Sequence, residues 1–502
     1  MAVVYDEYAK DRPGYFFGLS GPQLVLMVAS GIPTVWALSR QQWGLLLAFA
    51  SGWALVAVLS LVPISGRTAF GWLAASIRHT AGGIAGWTSF RARAASGQAG
   101  DLGEVDLPGV LAGAVVHDGP PQGVDQRRVA IIQHHATRTW AVTAAITHPG
   151  LAMTDAGERA SQGAGLTALL NACARTELVD EVQFLIRSVP DDGAERDHWM
   201  DDHDRDDAPD LARQVNQALA GMLTRAAVRT EAFVTIVVAE SRLAREAREY
   251  GRGVDGRARA LGMIMAEVEE HLRAGLRITE VEWLTSPQLA AAVRTGFAPG
   301  DRAGIIDALT AHTADRTVNP DVPWAMAGPS GADLAMRHYS HDAWNSVSAT
   351  VKLPTRGAVI GALAPVLAPT EPEERRSLLV AFPILGQTAA DRQTASAEWA
   401  ADMGEELRTK AGVKTRAKDR IALARTRSLD TKLATGNALV RPYAVATVTV
   451  PKTCRIAEYG RRLDASIRHA GYAPLRLDLV QDAAFAASTI PLGTSLLRTS
   501  DS

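Results

Sequence analysis

The residues that decide what chemistry this 502-residue chain can do are few. Nucleotide hydrolysis uses a G-x-x-x-x-G-K-[ST] loop, in which successive backbone N–H groups at a helix start cradle the phosphates. The nearest approaches are Gly412-Val413-Lys414-Thr415 and Gly386-Gln387-Thr388. Neither has the leading glycine at the required spacing, and Gly412 lies in a charged, helix-forming stretch, so neither supplies an anion cradle. A dense acidic run holds Asp191, Asp192, Glu195, Asp197, Asp201, Asp202, Asp204, Asp206, Asp207 and Asp210, with His198 and His203. Clustered carboxylates suit Mg²⁺ or Ca²⁺, but no glycine and no bidentate glutamate follow Asp201 and Asp204 at EF-hand spacing. The run therefore reads as a solvated loop. His134-His135 makes a poor chelate, because adjacent strand residues point to opposite faces. No G-x-S-x-G elbow and no H-E-x-x-H motif occurs. Arg375-Arg376, Arg425, Arg427, Arg461 and Arg462 read as solvated surface charge. The sequence thus assigns no catalytic, cofactor-binding or metal-binding residue and calls for no cofactor.

Composition agrees. A formal net charge of −2 gives no reason to expect direct nucleic-acid binding. Cys173 and Cys454 are the whole cysteine content, which supplies no disulfide or metal framework and fits a reducing compartment.

The elements that would position any such chemistry begin with two apolar runs. Leu19–Leu38 and Gly44–Ile64 carry no charge and are joined by Ser39-Arg40-Gln41-Gln42-Trp43. Each is long enough, at about 1.5 Å per residue, to cross a hydrocarbon layer of about 30 Å. So short a link predicts a transmembrane helical hairpin. Pro33 is tolerable inside a membrane helix, and Trp36, Trp43 and Trp72 fall where interfacial anchors sit. Asp6, Glu7 and Asp11 ahead of the first run argue against a signal peptide. Lys10 and Arg12 precede the hairpin, Arg67, Arg78, Arg91 and Arg93 follow it, and only Arg40 lies between. The positive-inside rule then places both termini on the cytoplasmic side of an inner membrane. In residues 66–95, Phe70, Leu73, Ile77, Ile84 and Trp87 are apolar and Arg67, Arg78, His79, Arg91 and Arg93 are basic. That pattern predicts an amphipathic segment on an anionic surface, weakened as a helix by Gly82-Gly83 and Gly86.

The remainder predicts an α+β class, cytosolic mixed α/β domains following the membrane hairpin. Residues 1–95 form the membrane part. Residues 96–127 are a turn-rich connector with a short strand within Gly109–Val116. A first cytosolic domain covers 128–297. Its strands are expected at Val129–Gln133, Thr139–Thr147, Val179–Ser188, Ala232–Ala239 and 276–283. Its helices are expected at 156–176 (capped by Asp155), Leu211–Arg229, 255–275 and 287–296, with Pro190–Asp210 a polar loop. Residues 298–342 read as irregular. A second domain, 343–502, carries strands at Trp344–Leu353, Ser377–Leu385, Ala444–Val450 and Leu475–Leu479. Its helices are expected at 357–366, 388–428, Ile456–Ala470 and 481–488. That the two halves repeat one unit is an open reading, with no clear self-similarity of residues to carry it.

Several short blocks carry a family resemblance. They are Arg294-Thr295-Gly296-Phe297-Ala298-Pro299, His338-Tyr339-Ser340-His341-Asp342, Ser346-Val347-Ser348-Ala349, Tyr443 to Val448, and Gln481 to Gly493. Together with the front hairpin, they resemble a family of actinobacterial membrane proteins found with conjugation genes. The hairpin resembles the two-helix inner-membrane subunit of type IV secretion (TrbD- or PrgI-like). The block ending Ile490-Pro491-Leu492-Gly493 is similar to the end of the N-terminal, non-motor domain of TraC/TrbE-type ATPases. The resemblance implies a non-enzymatic scaffold of a conjugative type IV-like system. Its implied partners are a separate motor ATPase, other inner-membrane secretion subunits, membrane lipids and copies of itself. No catalytic residue carries over, because the ATP-handling residues of that class lie in the motor domain. Two other readings stand beside it: a type VII secretion membrane component with two N-terminal helices, and a membrane-tethered enzyme whose site is assembled from distant residues.

Overall fold

The computed structural model describes residues 21–61, 63–64, 67–98, 100–150, 154–203, 205, 208–226, 228–352, 361–371, 373–386 and 437–496. The helix expected at 388–428 lies outside these residues, as do Lys414-Thr415, Arg425 and Arg427. The chain divides into two compact units.

The smaller unit holds the described parts of Glu7–Gly86 and Leu385–Arg441. Helices Gly21–Ser39 and Trp43–Leu61 pack on each other across a turn at Arg40–Gln42. Gln41 takes a left-handed φ of 56° to close that turn. The Trp53 indole N–H donates to the Met27 carbonyl at 3.0 Å. A Cβ at residue 31 would stand 3.2 Å from Trp53 Nε1, so glycine there lets the indole lie close to the helix. Val25, Val28, Ile32, Val35, Leu47 and Leu55 point outward and are exposed. By length and apolarity, Trp43–Ser60 can cross a membrane, with a mean hydropathy of 1.8. The described apolar run of the first helix, Val25–Ser39, is shorter. A third helix, Ala69–Ile84, runs on through Gly82-Gly83.

The larger unit, Trp87–Ile384 with the stretch from Pro442 on, is built on one antiparallel sheet. Its strands are β1 (Ser89–Arg91), β2 (Ala114–Gln122), β3 (Arg127–His134), β4 (Thr139–Thr147), β5 (Val179–Pro190), β6 (Val228–Ala239) and β7 (Glu280–Trp283). They continue as β8 (Gly331–Leu334), β9 (Tyr339–His341), β10 (Trp344–Lys352), β11 (Arg375–Leu385), β12 (Tyr443–Pro451) and β13 (Ala473–Arg476). The order across the sheet is β1-β8-β9-β10-β12-β11-β5-β6-β4-β3-β2, with β13 also on β10 and β7 also on β4.

This order contains a repeat. Chain order β4, helix Ala156–Arg175, β5, β6, helix Gly253–Leu276, β7 gives spatial order β7-β4-β6-β5. Chain order β10, helix Ala364–Leu367, β11, β12, helix Ile456–His469, β13 gives β13-β10-β12-β11. Each is a split β-α-β-β-α-β unit of the ferredoxin-like kind. Each is followed by one more helix, Ser286–Phe297 or Gln481–Thr489. The repeats join edge to edge through β5 and β11, antiparallel, with Leu185 opposite Leu379. Segments 128–297 and 343–502 therefore carry one repeat each and share one sheet.

Local chemistry explains the element boundaries. Asp155 caps its helix by accepting from the Glu158 N–H at 2.7 Å. Thr285 and Gln288 form a capping box ahead of Ser286–Phe297, with Pro287 in the first turn. Strand alternation sorts β12: Ala444, Ala446, Val448 and Val450 pack with Tyr459, Leu463 and Ile467 of the helix Ile456–His469. Val445 faces the other way, into the cluster that holds Leu289, Val293, Phe297, Phe485, Ile490 and Leu492. Each large apolar side chain buried this way contributes about 1.5–3 kcal/mol.

Two expectations are corrected. Pro190–Asp210 is not a continuous loop, since Ala194–His203 is helical. Residues 298–342 are not mostly irregular: they hold the helix Arg302–Ala314 as well as β8 and β9. β8 and β9 are ordered by pairing with each other and with β1 and β10, while the two helices share one cause. Arg302, at the start of its helix, binds Asp192 at 2.6 Å and Glu195 at 2.8 Å, so each segment is ordered by the other.

Candidate functional site

The blocks that carried the resemblance lie far apart in sequence and meet on one face of the sheet. Ser346 and Ser348 of β10 and Thr447 and Thr449 of β12 alternate with the apolar residues of the opposite face, forming a layer of small hydroxyls. The helix Gln481–Thr489 lies on that layer. Gln481 binds the β10 backbone twice, accepting from Ser348 N at 2.7 Å and donating to Ser348 O at 3.1 Å. Ser348, Thr447 and Ser488 form a hydroxyl chain with 2.6 Å steps. These bonds satisfy polar atoms that would each cost about 1–3 kcal/mol if buried alone.

His341 sits at the end of a second chain. Its Nδ1–H donates to the Phe297 carbonyl at 2.7 Å, which fixes the tautomer. Nε2 then accepts from Ser346, 2.8 Å away, and Ser346 in turn accepts from Thr449 at 2.7 Å. Ser346 and His341 have the spacing of a nucleophile and its base. Both are fully buried, so the pair orders the core instead. Burial pushes the His341 pKa down to about 3, against the hydrogen bond to Phe297, and the ring stays neutral. Arg294, in the first block, binds Asp301 at 2.6 Å and Asp342 at 3.2 Å, tying the Ser286–Phe297 helix to the turn after β9.

Beyond Thr489 the chain leaves the second repeat and crosses onto the first. The Pro491 carbonyl accepts from Thr143 at 2.9 Å, the Leu492 carbonyl from His134 Nε2 at 2.6 Å, and the Thr494 carbonyl from Gln183 at 3.2 Å. Gly493 has φ 78°, and a Cβ there would stand 2.9 Å from the Ala141 Cβ. Only glycine fits such a backbone so close to the sheet. The segment Gln481–Ser495 is thus a strap across both repeats.

The remaining candidates find structural roles. His134 is a buried core histidine, its pKa lowered by burial. The acidic run is corrected from a solvated loop: beyond the Arg302 contacts, Arg229 binds Glu195 at 2.7 Å, and His198 meets Asp307 at 2.8 Å. Asp201 and Asp202 remain exposed. Among the described residues, no three His, Cys, Asp or Glu side chains group as a metal would need. Arg375 and Arg376 part to opposite faces of β11, and Arg376 forms a fully buried pair with Glu374 at 2.6 Å, a second departure from solvated surface charge. Arg462 pairs with Glu371 and Glu458, whereas Arg461 is exposed. Both cysteines are free thiols.

One helix carries an exposed apolar stripe. The helix Asp210–Ala226 exposes Leu211, Val215, Leu219, Met222 and Leu223, at spacings of 4, 4, 3 and 1 residues. That spacing makes one apolar stripe on a helix, and a contiguous exposed stripe marks an interaction face.

No family model matches the chain, and no curated protein matches it.

Proposed function

We propose that the chain is a non-enzymatic inner-membrane scaffold of a conjugative type IV-like secretion apparatus, docking a separate motor ATPase. The observation that carries this reading is the pair of charge-free helices, with apolar side chains turned outward along both. Apolar surface of this kind favours hydrocarbon over water by about 25 cal/mol per Å², and the basic flanks favour cytoplasmic termini. The resemblance of the strap and its partner blocks to the non-motor part of a secretion ATPase supplies the apparatus. The stripe on Asp210–Ala226 is the face offered to the motor.

Membrane fractionation with a carbonate wash, followed by capture from solubilised membranes, tests the reading. The chain is expected to stay in the pellet, to recover an ATPase of the same locus, and to show no ATP turnover of its own above background. Leu219→Asp is expected to cut that recovery about tenfold or more, the size of a hot-spot loss. Because Leu219 is exposed, its melting temperature should stay within a few degrees of wild type. A chain released by carbonate, or one that hydrolyses ATP by itself, defeats the proposal.

A further inference from the structure

Four arginines converge where β5 and β11 run beneath the end of the helix Ser286–Phe297. Arg187 pairs with Glu231 at 2.7 Å, Arg229 with Glu195 at 2.7 Å, and Arg302 with Asp192 at 2.6 Å. Arg375 has no carboxylate partner among the described residues. It lies opposite Thr449 on the sheet and stacks on Trp344, 4.5 Å from the ring centroid. Its Nε and Nη1 are buried without a hydrogen-bond partner. Beside it lies a cavity of about 30 Å³ lined by Arg187, Arg375, Thr295, Gly296, Thr449 and Thr489. A Cβ at Gly296 would come within 3.0 Å of Arg187 Nη1, so glycine keeps this wall open to the guanidinium.

We propose that this cavity is a binding site for a small oxyanion of the phosphate class, held by Arg375 with Arg187 beside it. A buried guanidinium with unmet donors is costly, and a charge-assisted bond to an anion removes that cost. Burial lowers the Arg375 pKa to about 10, with Glu231 and Asp192 opposing the shift, so the side chain is still a cation at neutral pH. Volume sets the ligand's size. About 10–15 Å³ takes one water-sized group, so the space takes two or three oxygens of an oxyanion, with the rest of the ion at its open mouth, and excludes a nucleoside. The phosphate arrives either as a free ion or as the terminal group of a larger molecule that stays outside.

Equilibrium dialysis of the full chain in nanodiscs against radiolabelled orthophosphate, at constant ionic strength, tests this. Saturable uptake near one ion per chain is expected. Arg375→Gln should weaken it about tenfold or more, as loss of a charged hydrogen bond would. Arg375→Lys keeps the charge but loses the planar fork, and should weaken it by a smaller factor. ATP added as competitor separates the two sources: displacement identifies a terminal phosphate, and its absence a free ion. Non-saturable uptake by the wild type overturns the proposal, as does wild-type binding by both variants. If Arg375→Gln does not accumulate, the wild-type isotherm and the lysine variant decide.

Discussion

Gly165→Val is expected to remove more than about 3 kcal/mol of stability, enough to keep most of the chain from accumulating folded. The helices Ala156–Arg175 and Gly253–Leu276 pack on the first repeat and touch backbone to backbone at Gly165 and Gly275. A Cβ on Gly165 would fall inside the van der Waals envelope of the Gly275 carbonyl and Cα. Those atoms are main chain, so no side chain can swing aside, and the two helices must separate. Separation would uncover Leu169 and Leu272, both fully buried. The reverse change is gentler: a Cβ on Gly275 would stand 3.0 Å from the Gly165 Cα, so Gly275→Ala should cost less. Urea midpoints of the purified chain check both. Equal midpoints for Gly165→Val and wild type would contradict the close crossing.

The second large effect is in pH. His341 is fully buried among Phe297, Tyr339 and Phe485, and accepts from Ser346 only as the neutral ring. Burial first, then the Lys452 charge, lowers its pKa, while the Phe297 carbonyl opposes them; the result is about 3. The unfolded chain protonates this ring near pH 6.5. Between those values the unfolded state binds the extra proton, so stability is full above about pH 6.5 and falls as the pH drops toward 3. The slope is about 1.4 kcal/mol per pH unit for one group, or a few kcal/mol by pH 4. His134 and His338, also lowered by burial, add to the same limb. Glu231 acts lower down. Burial raises its pKa, but Arg187 and Arg229 outweigh burial and hold it below the ordinary 4.5, so its contribution is lost only as pH falls beneath that. His341→Asn, which cannot titrate, should flatten the slope between pH 6 and 4.5 in thermal melts. An unchanged slope would show that another group carries it.

Much of the fold was legible because its signals are local. Asp155 announces its helix, and the alternation of Val347, Ala349 and Val351 with polar residues announces a strand. What was missed depends on distant partners. Ala194–His203 carries Glu195 and Asp197 in its first turn, but its dense charge hides that signal until Arg302 is placed beside Asp192 and Glu195. The repeat is visible in the order of strands across the sheet, yet hidden in the residues. The Arg375 cavity left one trace in the sequence, the Arg375-Arg376 pair. Strand geometry gives those two neighbours opposite fates, one in an ion pair and one beside a cavity, which composition alone does not separate.

The strap has a consequence for synthesis. His134, Thr143 and Gln183 leave the ribosome 358, 348 and 311 residues ahead of the carbonyls that they bind. Until those carbonyls emerge, the floor on which Leu492 will sit lies open, and a half-made chain offers a sticky apolar surface. Translation must therefore pass Thr494 before the earlier-made repeat can close, and a ribosome stalled short of Pro491 would present the quality-control machinery with an unfinished core.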